Sequence, residues 1–185
     1  MISPRLVCLL GAESTGKTTL ARALATRFSC PWVPEYLRSF CDSRQRTPRR
    51  DEQPLILETQ HIHTLAARES AAQQGAPFVF CDTAPLLIAI YSEDVFGDRS
   101  LLPRGRELHA LYNLTLLCEA DLGWIADGFI RDSPATQARI HAALEREMSA
   151  PARLLGEPRC LSIRGAGDAR IAAAVQALQS LHATG

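Results

Sequence analysis

"GAESTGKTTL", Gly11 to Leu20, decides how the rest of this chain reads. It satisfies the pattern G-x-x-x-x-G-K-[ST] at every fixed position: Gly11, Gly16, Lys17 and Thr18. Before it stands "RLVCLL" (5–10), a short apolar run of the kind that makes a buried parallel strand. Behind it, "KTTLARALATRF" spaces Leu20, Ala23, Leu24 and Phe28 along one helix face. Strand, glycine-rich loop and helix N-terminus together are the setting in which this pattern cradles phosphate. The glycines let the loop wrap so that successive N–H groups point at phosphate oxygens, and the helix offers its positive end to the same anion. Lys17 is the only lysine, beside nineteen arginines. Its ammonium is a compact point charge for the β and γ phosphates, a cradle that does not suit a planar guanidinium. The Thr18 hydroxyl is a ligand for Mg²⁺. Gly11, Glu13, Ser14, Thr15, Gly16, Lys17, Thr18 and Thr19 are therefore the expected nucleotide-binding positions.

Working outward, "PWVPEY" (31–36) is a short second strand interrupted by Pro34, hence an edge or irregular one. Residues 38–54 read as loop or broken helix, and 55–74 as a long helix stopped by Gly75 and Pro77. "PFVFCDT" (77–83) is the clearest strand, followed by a helix over 84–91 with "EDVFGDRS" (93–100) as its exit loop. A further strand is expected at 114–118, and then a helix with Ser133 as N-cap and Pro134 in its first turn, ending near Ser149. "RCLSI" (159–163) and "ARIAAAVQALQSLH" (169–182) give a last strand and an amphipathic helix. The alternation predicts a three-layer α/β sandwich around a mostly parallel sheet, the P-loop NTPase architecture. We expect one domain over 1–185, with a lid-like segment at about 124–150.

Of the 185 residues 46% are hydrophobic and 22% charged, with zero formal net charge, so the chain is not built to coat nucleic acid or anionic membrane. The local basic run Arg44, Arg46, Arg49 and Arg50 reads as a solvated loop, or as an arm over an anionic substrate. The six cysteines form no CxxC pair, and Cys8, Cys81 and Cys118 lie within or at the end of apolar runs; they read as reduced and structural, as in a cytoplasmic protein. There is no signal-peptide-like N-terminus and no run of about 20 apolar residues, so no membrane partner is expected. His61 and His63 do not share a helix face, which rules out a metal pair there.

Two acids can complete a phosphoryl-transfer site. Asp82 follows four apolar residues in "FVFCD", the form of a Walker-B aspartate, and pairs with Thr18 as a metal ligand set. Glu35 ends the second apolar run, where the carboxyl ends of strands gather in an open sheet. Either acid can accept the proton of an attacking hydroxyl; the alternative for Glu35 is a helix N-terminal glutamate favouring the dipole. Arg131 and Arg139 flank the lid-like segment, where arginine can reach a transferring phosphoryl group or sit on the surface. Trp124 can stack on a flat ring or fill core.

With these residues in place, the chain resembles the ribosylnicotinamide kinase domain of NadR-type proteins and their stand-alone relatives. The resemblance is carried by "GAESTGKTTLARALA", "WVPEYLRSF", "FVFCDTAPLLIAIYSEDVFG" and "LTLLCEADLGWIADGFIRDSPATQAR", in the family's order over most of 6–140. It implies ATP- and Mg²⁺-dependent phosphorylation of the 5′-hydroxyl of nicotinamide riboside to nicotinamide mononucleotide. It makes Trp32, Tyr36, Arg38, Trp124 and Asp127 candidate substrate contacts, and Lys17, Glu35, Asp82 and Arg131 candidate catalytic residues. Two positions depart from the family pattern: Ala84 and Ala126 stand where acids are usual. The H-x-G-H motif of the adenylyltransferase domain that bifunctional members carry is absent from these 185 residues. The rival readings are a kinase for another nucleoside or alcohol, and a nucleotide-binding regulatory ATPase that answers to a macromolecular partner.

Overall fold

A computed structural model describes residues 3–123, 133–149 and 159–182. The apolar run before the glycine-rich loop forms β1 (Arg5–Leu10), and the loop opens α1 (Lys17–Phe28). Then come β2 (Trp32–Val33), α2 (Tyr36–Arg44), α3 (Gln53–Gln74), β3 (Phe78–Asp82), α4 (Pro85–Phe96) and α5 (Leu102–His109). The chain closes with β4 (Leu114–Cys118), α6 (Pro134–Ser149), β5 (Arg159–Ile163) and α7 (Gly167–His182). The five strands pair in parallel in the order β2-β3-β1-β4-β5.

That order follows from composition. β3 and β4 are buried along their whole length, and Val7 through Leu10 of β1 are fully buried. Strands without a polar face need cover on both sides, which crossover helices provide. Phe28 of α1 packs edge-on against Phe78 at 5.5 Å, and Phe78 lies 5.7 Å from Phe80. The two-residue β2 takes the edge next to β3, as the proline-broken run leads one to expect. Because β1 lies between β3 and β4 while the chain turns first toward β2, a crevice opens at the carboxyl ends of β1 and its neighbours. The glycine-rich loop leaves β1 there, and the register Leu9↔Asp82 sets Asp82 beside it.

Of the stretch 38–54 expected as loop or broken helix, the first part belongs to helix α2, with Phe40 and Cys41 buried, the second of the two alternatives. Two elements depart from the sequence reading. Helix α4 runs on to Phe96 instead of ending near Tyr91, so half of the expected exit loop is helical. Helix α5 was not anticipated at all; Leu102 and Leu108 anchor it. The basic run also resolves. Arg46 forks onto Glu52 at 2.7 Å and lies over Phe40, while Arg50 reaches Asp98 at 2.9 Å. These arginines are tied into local ion pairs. The six cysteines are all free, five of them buried.

Candidate nucleotide and acceptor site

The loop geometry explains its glycines. Gly16 caps α1 with φ of 75°, in the left-handed region where a side chain is strained, and a Cβ there would stand 3.0 Å from Leu122. A Cβ on Gly11 would come 2.7 Å from the Thr15 hydroxyl and 2.8 Å from the Cys118 carbonyl, so only glycine lets the loop lie this close to β4. The Thr15 hydroxyl and the Lys17 ammonium each donate to the Ala12 carbonyl at 2.8 Å, which folds the lysine back over the loop. A cavity of about 480 Å³ opens here, lined by Ser14 through Thr19, with Arg22, Arg38, Leu122 and Gly123 around them. Three cations and a helix N-terminus face one space, which suits a polyanion.

Thr18 and Asp82 meet at the floor of the crevice. The Thr18 hydroxyl donates to Asp82 Oδ2 at 2.6 Å, while the buried Asp82 Oδ1 has no hydrogen-bond partner. A hydroxyl and a carboxylate with a spare buried oxygen form the hard-oxygen donor set that Mg²⁺ takes, so the residues fit the ion. The next residue, Thr83, is fully buried with φ of 83°, an unusual conformation for a β-branched residue. It turns the chain directly after Asp82, donating its N–H to the Leu9 carbonyl at 3.1 Å. Backbone strain next to a functional carboxylate is a recurrent feature of active sites.

A second cavity of about 290 Å³ lies beside the first and is mostly apolar, with Leu37, Leu87, Ile88, Tyr91 and Phe96 in its walls. Its polar lining includes two carboxylates, Glu13 and Glu35, each 3% exposed, together with Gln53. Burial, opposed by Lys17 and reinforced by Glu13 and Asp82, pushes the Glu35 carboxyl up to about 7. Glu35 Oε2 stands 3.3 Å from Arg38 Nε without forming a hydrogen bond, and Arg38 Nη2 lies 4.0 Å from Glu13 Oε2. Arg38 also lines the phosphate cavity, so it stands between the two spaces.

The structure thus brings Glu13, Lys17, Thr18, Glu35, Arg38 and Asp82 to one crevice. Glu13, expected among the nucleotide contacts, lines the apolar cavity. Trp32 and Tyr36 line neither cavity. Trp32 lies under the Arg22 guanidinium at 5.0 Å, and Tyr36 packs edge-on against Phe40 and His63 at 6.4 and 5.4 Å. Arg139 forks onto Asp94 at 2.8 and 2.9 Å on an exposed face. Ala84 is fully buried at the start of α4. Trp124, Ala126, Asp127 and Arg131 lie outside the described residues, as do residues 124–132 of the lid-like segment generally, while its Pro134–Ser149 stretch forms α6.

Three further residues support the site. Gln60 on α3, fully buried, accepts the Tyr36 N–H at 2.7 Å and donates to the Pro34 carbonyl at 3.3 Å, holding the backbone on both sides of Glu35. Gln137 on α6 donates to the Glu13 carbonyl at 2.7 Å. Arg170 on α7, 3% exposed, donates to the carbonyls of Glu119, Ile163 and Gly165 at 3.0 to 3.2 Å and pairs with Asp121 at 3.3 Å, closing the far wall beside Gly16. Nothing in the sequence marks a glutamine or arginine for such work, because the partners are backbone groups that carry no side-chain signature.

The fold has many solved counterparts. A NadR protein in complex with NR superimposes with a TM-score of 0.74 at 21% identity, over 99% of this chain and 53% of that one. A NadR protein in complex with NAD and AMP-PNP gives 0.73 at 21% identity, over 97% and 50%. The chain therefore spans about half the length of these two. Thymidylate kinase from Ehrlichia chaffeensis gives 0.67 at 15% identity, over 97% and 99%. No curated protein matches the sequence. No helix among the described residues is long and apolar enough to cross a membrane. A family model described as "AAA domain" matches residues 6–154, and with its P-loop, parallel sheet and Asp82 in place the chain belongs to that family.

Proposed function

We propose that this protein is an ATP-dependent kinase that phosphorylates the 5′-hydroxyl of nicotinamide riboside, giving nicotinamide mononucleotide. The observation that carries the reading is the pairing of two cavities across Arg38, one cationic and loop-lined, the other apolar with Glu35 in its wall. A hydrolase needs no second organic pocket; a kinase needs one whose acid reaches the acceptor hydroxyl. The family resemblance in the sequence supplies the particular riboside.

In this reading the loop N–H groups, Lys17 and Arg38 hold the triphosphate, and Thr18 with Asp82 holds Mg²⁺. Bound there, Mg²⁺ would supply charge neutralisation at the phosphate oxygens. The apolar walls take the flat ring and orient the sugar. Glu35 accepts the proton of the 5′-hydroxyl as that oxygen bonds to the γ-phosphorus, and the bond to the bridging oxygen breaks, releasing ADP. Positioning and charge neutralisation supply the rate, with no covalent intermediate on the protein. Asp82, fastened to Thr18, is the metal ligand rather than the base.

The test is ADP release by the purified protein with ATP and Mg²⁺, with and without nicotinamide riboside. A riboside-dependent rate with nicotinamide mononucleotide as product is expected. Slow ATP hydrolysis that no nucleoside stimulates would overturn the kinase reading in favour of a regulatory ATPase.

A further inference from the structure

The apolar cavity has two buried carboxylates, and the proposed reaction uses one. Glu35 serves the hydroxyl that is phosphorylated. Glu13 is equally buried, at 3% exposed, and its Oε2 has no hydrogen-bond partner. Arg38 stands 4.0 Å from that oxygen, beyond hydrogen-bond distance, and itself borders the phosphate cavity. Glu13 is held in place from behind, since its own carbonyl accepts the buried Gln137 amide at 2.7 Å. Its Oε2 is a preorganised, buried acceptor at the cavity that has Arg38 at ion-pair distance but no hydrogen-bond donor.

Counting donors then constrains the occupant. A simple primary alcohol brings one O–H, which Glu35 takes. Glu13 Oε2 needs a second donor, and none of the wall groups that carry one, Thr47, Gln53 and Tyr91 among them, donates to it. Building on the kinase reading above, we infer that Glu13 binds a second hydroxyl of the acceptor sugar, so the cavity selects ribosides over their deoxy counterparts. A site built to hydrogen-bond a hydroxyl rejects the analogue that lacks it, because the buried acceptor is then left bare. Glu13 is a specificity-determining residue for the acceptor as well as part of the glycine-rich loop.

The experiment compares kcat/KM for nicotinamide riboside with its 2′-deoxy and 3′-deoxy analogues, in wild type, Glu13→Ala and the isosteric Glu13→Gln. The ratio is taken within each enzyme, so a general loss of folding or ATP affinity cancels. Wild type should prefer the riboside over at least one analogue by on the order of 10- to 100-fold, the value of a hydrogen bond to a charged group. That preference should fall to within about threefold in Glu13→Ala and to an intermediate value in Glu13→Gln, which keeps one acceptor oxygen. Equal turnover of all three compounds by wild type, or a preference that survives Glu13→Ala, overturns the inference while leaving the kinase reading intact. If no compound is phosphorylated, the kinase reading falls, and equilibrium binding of the same compounds beside a non-hydrolysable ATP analogue decides separately. A riboside preference that vanishes in Glu13→Ala sustains the role of Glu13; equal binding, or none, removes it.

Discussion

Replacing Glu35 with glutamine should raise the stability of the fold while removing its activity, and the two effects should share one pH axis. Burial lifts the Glu35 carboxyl from 4.5 to about 7. The unfolded chain therefore loses this proton near pH 4.5, whereas the folded chain keeps it until about pH 7. Over that window the folded state binds more protons, so stability falls as pH rises, by up to about 3 kcal/mol at 1.36 kcal/mol per unit. The stabilising contribution is complete below pH 4.5 and gone above pH 7. Glutamine is always neutral and nearly isosteric, so Glu35→Gln escapes the loss. The melting temperature of the variant minus that of wild type should grow between pH 4.5 and 7.5, by roughly 6–12 °C for a chain of this size. Turnover should fall by on the order of 10²- to 10⁴-fold, the usual worth of a positioned base. For wild type, kcat/KM should decline about tenfold per unit below pH 7, as the base becomes protonated. Thermal melts across pH, with coupled ADP-release assays on the same preparations, read both. A stability difference that does not change with pH would refute the burial argument, and a variant within tenfold of wild-type turnover would refute the base assignment.

Other substitutions separate loop, metal and support. Lys17→Ala should lower kcat by at least about 100-fold with an unchanged melt, whereas retained turnover would deny the lysine its phosphate role. Gly16→Ala forces a Cβ into the left-handed region and toward Leu122; denaturant titration should show a loss of about 1–2 kcal/mol. Asp82→Asn keeps the shape but weakens a hard-cation ligand, so the Mg²⁺ concentration for half-maximal rate should rise by on the order of tenfold or more. Gln60→Leu strands the Tyr36 N–H and the Pro34 carbonyl, at about 1–3 kcal/mol each. Its kcat should drop while the KM for ATP holds, since only the Glu35 backbone is released. A parallel change in both constants would mean that Gln60 props the whole crevice.

The architecture was legible because its cause is local: β1, β3 and β4 are uninterrupted apolar runs, and the glycine-rich loop declares the turn between β1 and α1. Helix α5 was not, and α2 was legible only as a loop or broken helix, because their pattern is sparse. Phe40 with Cys41, and Leu102 with Leu108, become helix faces only once α3 and α4 supply surfaces to bury them. The same contrast runs through the site. Lys17, Thr18 and Asp82 occupy positions that a spacing or a strand end announces. Glu13 sits inside the loop motif, whose spacing assigns it to the phosphates, and its place in the lining of the apolar cavity is visible only in the fold. Trp32 and Tyr36, candidate substrate contacts by resemblance, line neither cavity in this structure, and Tyr36 instead packs beside Glu35 against Phe40 of α2 and His63 of α3. Gln60 completes that arrangement, since it grips the backbone on either side of Glu35 while Tyr36 wedges between Phe40 and His63. A carboxyl lifted to about 7 is kept in place against its own desolvation only by such a clamp. The stability lost in burying Glu35 and the rate gained from it therefore have one origin.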